Sequence, residues 1–521
     1  MRIIVVGAGV AGLAAAARMA SAANEVVVVE RGAAAGGAAL SWAGPYTLTL
    51  PAVLRDLFVK TGGRKATGGG ALEDNISLVP VDPVRRAVFA DGTSLTLPNT
   101  ARGATKDAFD SAFGDGAGAA WLGLLDHGNR AWSVIRPTLV EVPDASRGDL
   151  WRLYRSGSAR RALAARRTLR QVGADCGIRD PRMLAVLDEY ALGAGADPRV
   201  APAVLATRPY IEHAFGAWRV VGGVPELVRA MYERCVARGV AFRFGAEAAA
   251  ITSGAVALAS GERLTADVVV AAVDAQVLRR LTGRHAGPGS SESAGSAGVA
   301  GSSGAAESAG EAGAAGSAGP ASAGRADRPA AASTAGYSPS SLSLRLEASA
   351  DLELPHESVF FGDPGRAATE ARLDALFPAS AAQTRRVPAD PTLRVHAAPE
   401  RPRELIVHID VPCGLSEDAA HGYVPTLIAL VGRRLGLSAD VALTLRDTIT
   451  PADRERATGV PGGSVHGPAI TSVRTAILRS PTVQPIKGLL HVGASSRPGP
   501  GLAFAALSAW NAAEVLRPTR V

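Results

Sequence analysis

Apolar residues recur along this chain in three rhythms, and each predicts a different kind of element. Unbroken runs at Arg2–Val6, Glu25–Val29 and Leu264–Val273 lack polar alternation, which predicts short parallel strands buried on both faces. Val240–Phe244 and Gly488–Val492 read as further strands of this kind. Helical spacing covers Val10–Ala22, Val53–Lys60, most of Lys106–Ala206, Val224–Arg238, Tyr423–Leu435 and Ala503–Leu516. Alternation at Leu342–Leu346, with Val359–Phe361 and Glu404–Val411, predicts strands with one buried face. Ser77–Leu97 reads as a hairpin turning at Asp91–Gly92. No internal repeat is visible.

One stretch has no rhythm. From Arg284 to Gly336 the chain is almost wholly Gly, Ala and Ser, too poor in apolar surface to offset its ordering entropy, so a disordered insert is expected there. The 521 residues exceed what one core usually organises, so two domains are expected. Hydrophobic residues at 47% and charged residues at 20% place the chain in the soluble globular class.

Arg2 and the alanine-rich run after it mimic a secretory leader, but Gly7, Gly9, Gly12 and Glu30 fit a βαβ unit better. No apolar run reaches the roughly 20 residues of a spanning helix. Cys176, Cys235 and Cys413 lie far apart, which implies neither a disulfide framework nor a metal site and fits a reducing cytoplasm. The net charge is +7 and the pI about 9.6. The arginines read as scattered, with no basic block interleaved with aromatics, so no nucleic-acid partner is expected. A mildly basic face meeting an anionic membrane surface fits the charge better.

Three glycine motifs carry the chemistry. Gly7-Ala8-Gly9-Val10-Ala11-Gly12 joins the first strand to the first helix. Such a loop needs a tight turn at Gly7, close approach of a pyrophosphate at Gly9 and close helix packing at Gly12. Glu30 ends the second strand, where a carboxylate accepts from ribose hydroxyls and repels a 2′-phosphate. Gly36-Gly37 follows six residues on and favours FAD over NAD. Gly493 to Leu502 then joins the last strand to the last helix, whose positive end suits a negative charge on a reduced flavin ring.

These motifs, with others inside the chain, resemble the bacterial phytoene desaturase family of carotenoid desaturases, within the flavin amine oxidase superfamily. The internal matches are Gly44-Pro45 leading to Leu50–Phe58, Asp82-Pro83 with Phe89–Gly92, and Ala214–Trp218 with Gly222-Gly223. Others are Pro355-His356 with Val359–Phe361, Thr450–Asp453, Thr458-Gly459 and Pro461–Gly463. The resemblance implies an α/β protein with a Rossmann-like FAD domain from residues 1–65, 217–283 and 484–521. A discontinuous α+β substrate domain, 66–216 and 337–483, faces the membrane, and 284–336 is the insert. It also implies FAD-dependent desaturation or isomerisation of a carotenoid or other long isoprenoid, with quinone or oxygen as electron acceptor. The location implied is cytoplasmic, at the membrane periphery. Departures are Ala38 where the family has Arg or Lys, Ser41-Trp42-Ala43 where an Asp is usual, and Arg497 in place of a common His.

The expected FAD contacts are Gly7, Ala8, Gly9, Val10, Ala11, Gly12, Glu30, Arg31, Gly36, Gly37, Ala38, Ala248, Gly493, Ala494, Pro498, Gly499, Gly501 and Leu502. Catalytic candidates are His213, near Tyr210 and Glu212, and Arg497 beside the flavin loop. Phe215 and Trp218 read as cavity wall, and Asp126-His127 as a solvated face. Two other readings stay open: an amine oxidase on the same fold, and a lipid-binding relative that has lost its cofactor contacts.

Overall fold

The computed structural model describes residues 1–40, 47–62, 70–283, 336–380 and 383–517. The insert, save Gly336, and the Gly44-Pro45 motif lie outside the described residues.

A five-stranded sheet runs in the order Leu489–His491, Val268–Ala271, Arg2–Val6, Glu25–Val29, Ala241–Arg243, with every neighbour parallel. Val5 sits between Val28 and Val270 in register, and all three are fully buried. Odd and even positions are both covered, which is why the strands are unbroken valine and isoleucine. Ile3, Val5 and Val28 pack on the helices Val10–Ser21, Val224–Ala237 and Leu502–Val515. Ile4, Val29 and Val269 pack on the helix Ala275–Leu281 and a small antiparallel sheet of Ala248–Thr252, Ala255–Leu258 and Arg263–Thr265. The expected strand Leu264–Val273 is therefore two. Ala266 N–H bonds Gly254 in the small sheet while Asp267 N–H bonds Arg2 in the large one, and the chain changes sheets between them.

The second large sheet has seven strands, in the order Leu443–Ile449, Ser340–Ala348, Arg401–Val411, Leu393–Ala398, Glu357–Phe360, Arg85–Val88, Ser94–Leu97. Only the pairing of Glu357–Phe360 with Arg85–Val88 is parallel. One face is hydrocarbon, with Leu342, Leu344, Val395, Leu405, Val407 and Ile409 packed against Val424, Leu427 and Val431 of the helix Glu417–Leu435. The opposite face carries Ser341, Ser343, Arg394, His396, His408, Asp410 and Glu357, and meets helices Pro181–Leu192 and Thr207–Phe215.

The hairpin turns at Asp91–Gly92, joining Arg85–Val88 to Ser94–Leu97, with Gly92 at φ +84°. Its expected first part, Leu78–Pro80, pairs instead with Trp218–Val220. The helix expected from Tyr423 starts at Glu417, because Ser416 accepts from Ala419 N–H as an N-cap and Pro425 is tolerated inside. Strands Leu393–Ala398 and Leu443–Ile449 are absent from the sequence reading, since their alternation is filled by Arg, His, Thr and Asp. The scattered arginines are also a misreading: seven of them, all exposed, lie between 147 and 167 on the helices Arg147–Arg155 and Gly157–Leu163 and the chain just after.

Candidate active site

The first glycine loop is fixed by contact rather than by flexibility alone. Gly7 has φ +102°, and a Cβ there would sit 2.7 Å from Ala272 O; a Cβ on Gly12 would sit 2.0 Å from Gly7 O. Around Gly9 the nearest atom to such a carbon is 3.9 Å away, so this face of the loop is open to a ligand. Ala8 N–H donates to Glu30 Oε2 at 2.7 Å and Gly32 N–H to Oε1 at 2.8 Å. The carboxylate is thereby aimed from the strand end, with lone pairs left for hydroxyl donors. Gly36 N–H bonds Ala8 O at 2.9 Å, which pins the second glycine pair onto the first loop. Gly36 adopts φ +134° and Gly37 +52°.

The terminal loop closes the other side. Gly493 (φ +121°) donates its N–H to Ser508 Oγ at 2.9 Å, and Gly501 (φ +124°) opens the helix Leu502–Val515. That helix and Val10–Ser21 both begin without an acidic residue and at the same cavity, so two positive helix ends meet there. The cavity measures about 560 Å³, within the range of cofactor sites.

Of the expected contacts, Gly7, Gly9, Val10, Ala11, Glu30, Arg31, Gly36, Gly37, Ala38, Ala248, Gly493, Ala494, Gly501 and Leu502 all line this cavity. Ala8 and Gly12 do not: Ala8 is fully buried, and Gly12 packs against the Gly7 carbonyl. Pro498 and Gly499 are buried behind the loop, Gly499 against Ala476, and Pro500 takes the wall position.

Neither catalytic candidate reaches the cavity. Arg497 is buried and donates to Ala145 O, with Asp144 at 3.9 Å, so it anchors the loop from behind. His213 is half-buried outside the wall, its pKa lowered by burial and by Arg102. Phe215 and Trp218 are not wall residues; Trp218 pairs with Leu48 and lies beneath the Arg55 guanidinium. Asp126 and His127 do point apart, but only Asp126 is solvated, paired with Arg102, whereas His127 is buried with its Nε2 unpartnered among the described residues.

Sequence reading missed Arg208 and His466, both on the wall. Arg208 donates to Pro500 O at 2.9 Å and lies 5.3 Å from the Phe504 ring centre. Among the described residues it has no carboxylate partner, and burial pulls its pKa down to about 10. Arg479 is similar: it donates to the carbonyls of His466, Ala494 and Pro468, and burial lowers it to about 10. Burial, then Arg208 and Arg479, push His466 down to about 3, so its imidazole is neutral. No local periodicity marks an isolated arginine as a wall residue.

The cavity also abuts the polar face of the seven-stranded sheet. Thr47, on the wall, donates to Glu357 Oε2 at 3.5 Å, and Glu357 Oε1 accepts from Arg85 at 2.7 Å. Burial raises the Glu357 pKa, but Arg85, with His396 and Arg394 adding, outweighs it and holds the group at about 2. Arg454, also on the wall, donates to Ser343 Oγ at 2.8 Å, and that hydroxyl meets His408 Nδ1 at 2.7 Å.

These residues fit FAD. The open face at Gly9, the aimed Glu30 carboxylate, the pinned Gly36-Gly37 pair and the two helix ends are what an adenine dinucleotide diphosphate requires. Small Ala38 leaves the cavity open where a longer side chain would project into it.

Comparison with known proteins agrees. Residues 5–53 match an NAD(P)-binding Rossmann-like domain, and 72–295 the flavin containing amine oxidoreductase family. A 4,4'-diapolycopene oxygenase from Methylomonas is 29% identical over 52% of this chain and 55% of its own length. A phytoene dehydrogenase from Streptomyces griseus is 30% identical over 54% and 56%. The chain thus spans about half the length of these two relatives. A hydroxyneurosporene desaturase from Rubrivivax gelatinosus aligns over 99% of this chain and 93% of its own, at 26% identity. In fold, the chain is similar to an oxidoreductase from Methanosarcina mazei (TM-score 0.54, 14% identity, 99% and 100% covered). It is equally similar to the cyclohexylamine oxidase of Brevibacterium oxydans (0.54, 13%, 99% of each).

The chain thus carries a Rossmann-like segment and a segment similar to flavin containing amine oxidoreductases, folded around a cavity whose residues fit FAD. In sequence the chain is similar to carotenoid-desaturase-like proteins, over about half its length for two of those named and over nearly all of it for the third.

Proposed function

We propose that this protein desaturates, or isomerises, a carotenoid or another long isoprenoid, with quinone or oxygen taking the electrons. The observation that carries the reading is one cavity in which the glycine loops and both helix ends meet a hydrocarbon wall of Leu48, Leu50, Leu502, Ala503 and Phe504. Gly7, Gly9, Gly36, Gly37 and Glu30 would hold the dinucleotide, and Gly493, Ala494 and Gly501 the flavin. When bound, FAD supplies a two-electron acceptor for hydride from a C–H bond. The chain's own part is alignment and charge. The apolar wall excludes water and orients a polyene, which this chemistry needs more than an acid or base. Arg208, charged and without a carboxylate partner among the described residues, would offset negative charge gained at the flavin. A neutral His466 leaves that charge undivided.

Access to such a substrate requires contact with lipid. No helix among the described residues is long and apolar enough to cross a membrane, so the reading places the protein at the membrane surface, on the cytoplasmic side. The test is anaerobic incubation with phytoene or a hydroxylated carotenoid in liposomes, with pigments extracted and their absorbance followed. Lengthened conjugation is the expected result. The fold neighbours favour a second reading, oxidation of an amine. Among the described residues Phe504 is the one benzenoid ring on the cavity wall, and peroxide release on soluble amines without polyene turnover would establish that alternative.

A further inference from the structure

The structure assigns the face formed by the helices Arg147–Arg155 and Gly157–Leu163, with the turn after them, as the surface that docks on an anionic phospholipid bilayer. The assignment deepens the proposed function and rests on its lipid-dissolved substrate.

Charge is the first observation. Between 147 and 167 there are seven arginines against one acid, Asp149, a net +6, while the whole chain carries +7. Nearly all the imbalance sits on one-twentieth of the sequence. All seven arginines are exposed. Arg152 pairs with Asp149 and Arg167 with Asp175, but Arg147, Arg155, Arg160, Arg161 and Arg166 have no carboxylate partner among the described residues. Some other exposed arginines sit in ion-pair networks, as at Arg229 and Arg456, whereas here the unpaired ones are gathered on neighbouring turns. Five unpaired guanidinium groups on neighbouring turns repel one another, and an array of phosphates is the partner that relieves this.

Shape is the second. Trp151 is 57% exposed, the only aromatic among the large exposed hydrophobic residues of the described part, and Arg155 lies 4.7 Å from its ring centre. A tryptophan at the water boundary with cationic side chains around it matches the headgroup layer of a bilayer, where the ring sits among headgroups and the guanidinium groups reach phosphate. Leu150 and Leu163, on the opposite side of the two helices, are buried and hold them to the body of the protein.

Continuity is the third. Leu150 and Leu163 belong to the same apolar cluster as Leu50 and Ala503, which line the flavin cavity. Ala145, just before the first helix, accepts from Arg497 of the flavin loop. The basic face is therefore joined to the cavity by one apolar cluster, and the segment before it is tied to the back of the flavin loop, so a bilayer docked there lies near the redox site.

The test uses the full-length flavoprotein and co-sedimentation with phosphatidylcholine vesicles, with and without phosphatidylglycerol. Binding that requires phosphatidylglycerol and weakens with salt is expected. At about a fivefold effect per arginine, Arg155→Gln/Arg160→Gln/Arg161→Gln should weaken it roughly a hundredfold. Trp151→Ala should weaken binding to the phosphatidylglycerol vesicles while leaving its salt dependence in place. Flavin content, and turnover of polyene dispersed in detergent, should be unchanged in these variants, which shows that they fold. Unchanged sedimentation of the triple variant would overturn the assignment. So would tighter binding to a single-stranded oligonucleotide than to vesicles, lost in the same variant. If the vesicle results hold while no polyene is turned over, the docking surface stands and the proposed reaction falls.

Discussion

The two large sheets of this protein solve opposite problems. The five-stranded sheet is hydrocarbon on both faces and presents a ligand with backbone: N–H groups, glycine edges and helix ends, with Glu30 as its main charged contribution. The seven-stranded sheet is hydrocarbon on one face only. Its other face buries Arg394 between Glu189 (2.7 Å) and Asp410 (2.8 Å), and Arg85 between Glu357 (2.7 Å) and Glu212 (3.6 Å). Buried ion pairs contribute little net stability, because desolvation offsets their attraction. Backbone recognition is rigid and tolerant of sequence except at glycine; the charged face is sensitive to every partner. The difference teaches that the glycine-loop site and the charged sheet face depend on different kinds of residue and should fail in different ways.

That contrast breaks most sharply at Gly12. A side chain there collides with the Gly7 carbonyl, so Gly12→Val should leave the protein without visible flavin absorbance, even after added FAD. A yellow Gly12→Val protein would mean the loop is not the pyrophosphate site. On the other sheet, Arg394→Met strands two buried carboxylates and should cost about 3–5 kcal/mol, seen as a lower thermal midpoint. Its flavin content per folded molecule should stay near wild type, and coupled loss of both would erase the distinction.

Acid should act on the polar face first. His396 is buried and neutral, pushed down to about 4 by burial, with His356 and Arg394 adding and Glu357 opposing. Its unfolded counterpart titrates near 6.5, so between those values the unfolded chain binds the extra proton. Stability from this group is therefore complete above about pH 6.5 and falls by about 3 kcal/mol as pH drops towards 4. Equilibrium unfolding across that range should flatten in His396→Gln; an unaltered slope would assign the acid sensitivity elsewhere. At Glu30, substitution by Gln keeps the shape but removes charge from its hydrogen bonds, which should weaken FAD by about 1.5–3 kcal/mol, read by flavin titration. The smallest change is expected for Arg208→Gln, a lowered flavin reduction potential with FAD still bound. Wild-type potential should show the same fall as pH rises through about 10, where Arg208 loses its proton.

Legibility in the sequence follows the same division. Strands Arg2–Val6 and Glu25–Val29, the loop Gly7–Gly12, Glu30 and Gly36-Gly37 lie within forty residues, so spacing alone sets their geometry. The polar face could not be read this way. Arg394 and Glu189 are 205 residues apart, and Arg85 and Glu357 are 272 apart. The strand Leu393–Ala398 does alternate, with Leu393, Val395 and Ala397 on the hydrocarbon face, but a six-residue pattern does not reveal which charges Arg394 and His396 meet across the fold. Arg497 was misplaced for a related reason: its position in the flavin loop suggested contact with the ring, while its side chain turns backward to Ala145. Arg208 carries its role only through the fold, which brings a residue 292 positions away to Pro500. The arginines of 147–167 were fully visible in composition, but a search for basic runs overlooks single arginines and arginine pairs separated by gaps of three to five positions.

The most direct test of the account is the visible spectrum of the purified protein, recorded anaerobically before and after addition of phytoene in liposomes. The account predicts flavin bands that bleach as conjugated polyene bands grow. Absence of flavin bands after reconstitution with FAD, with the protein folded, would contradict it.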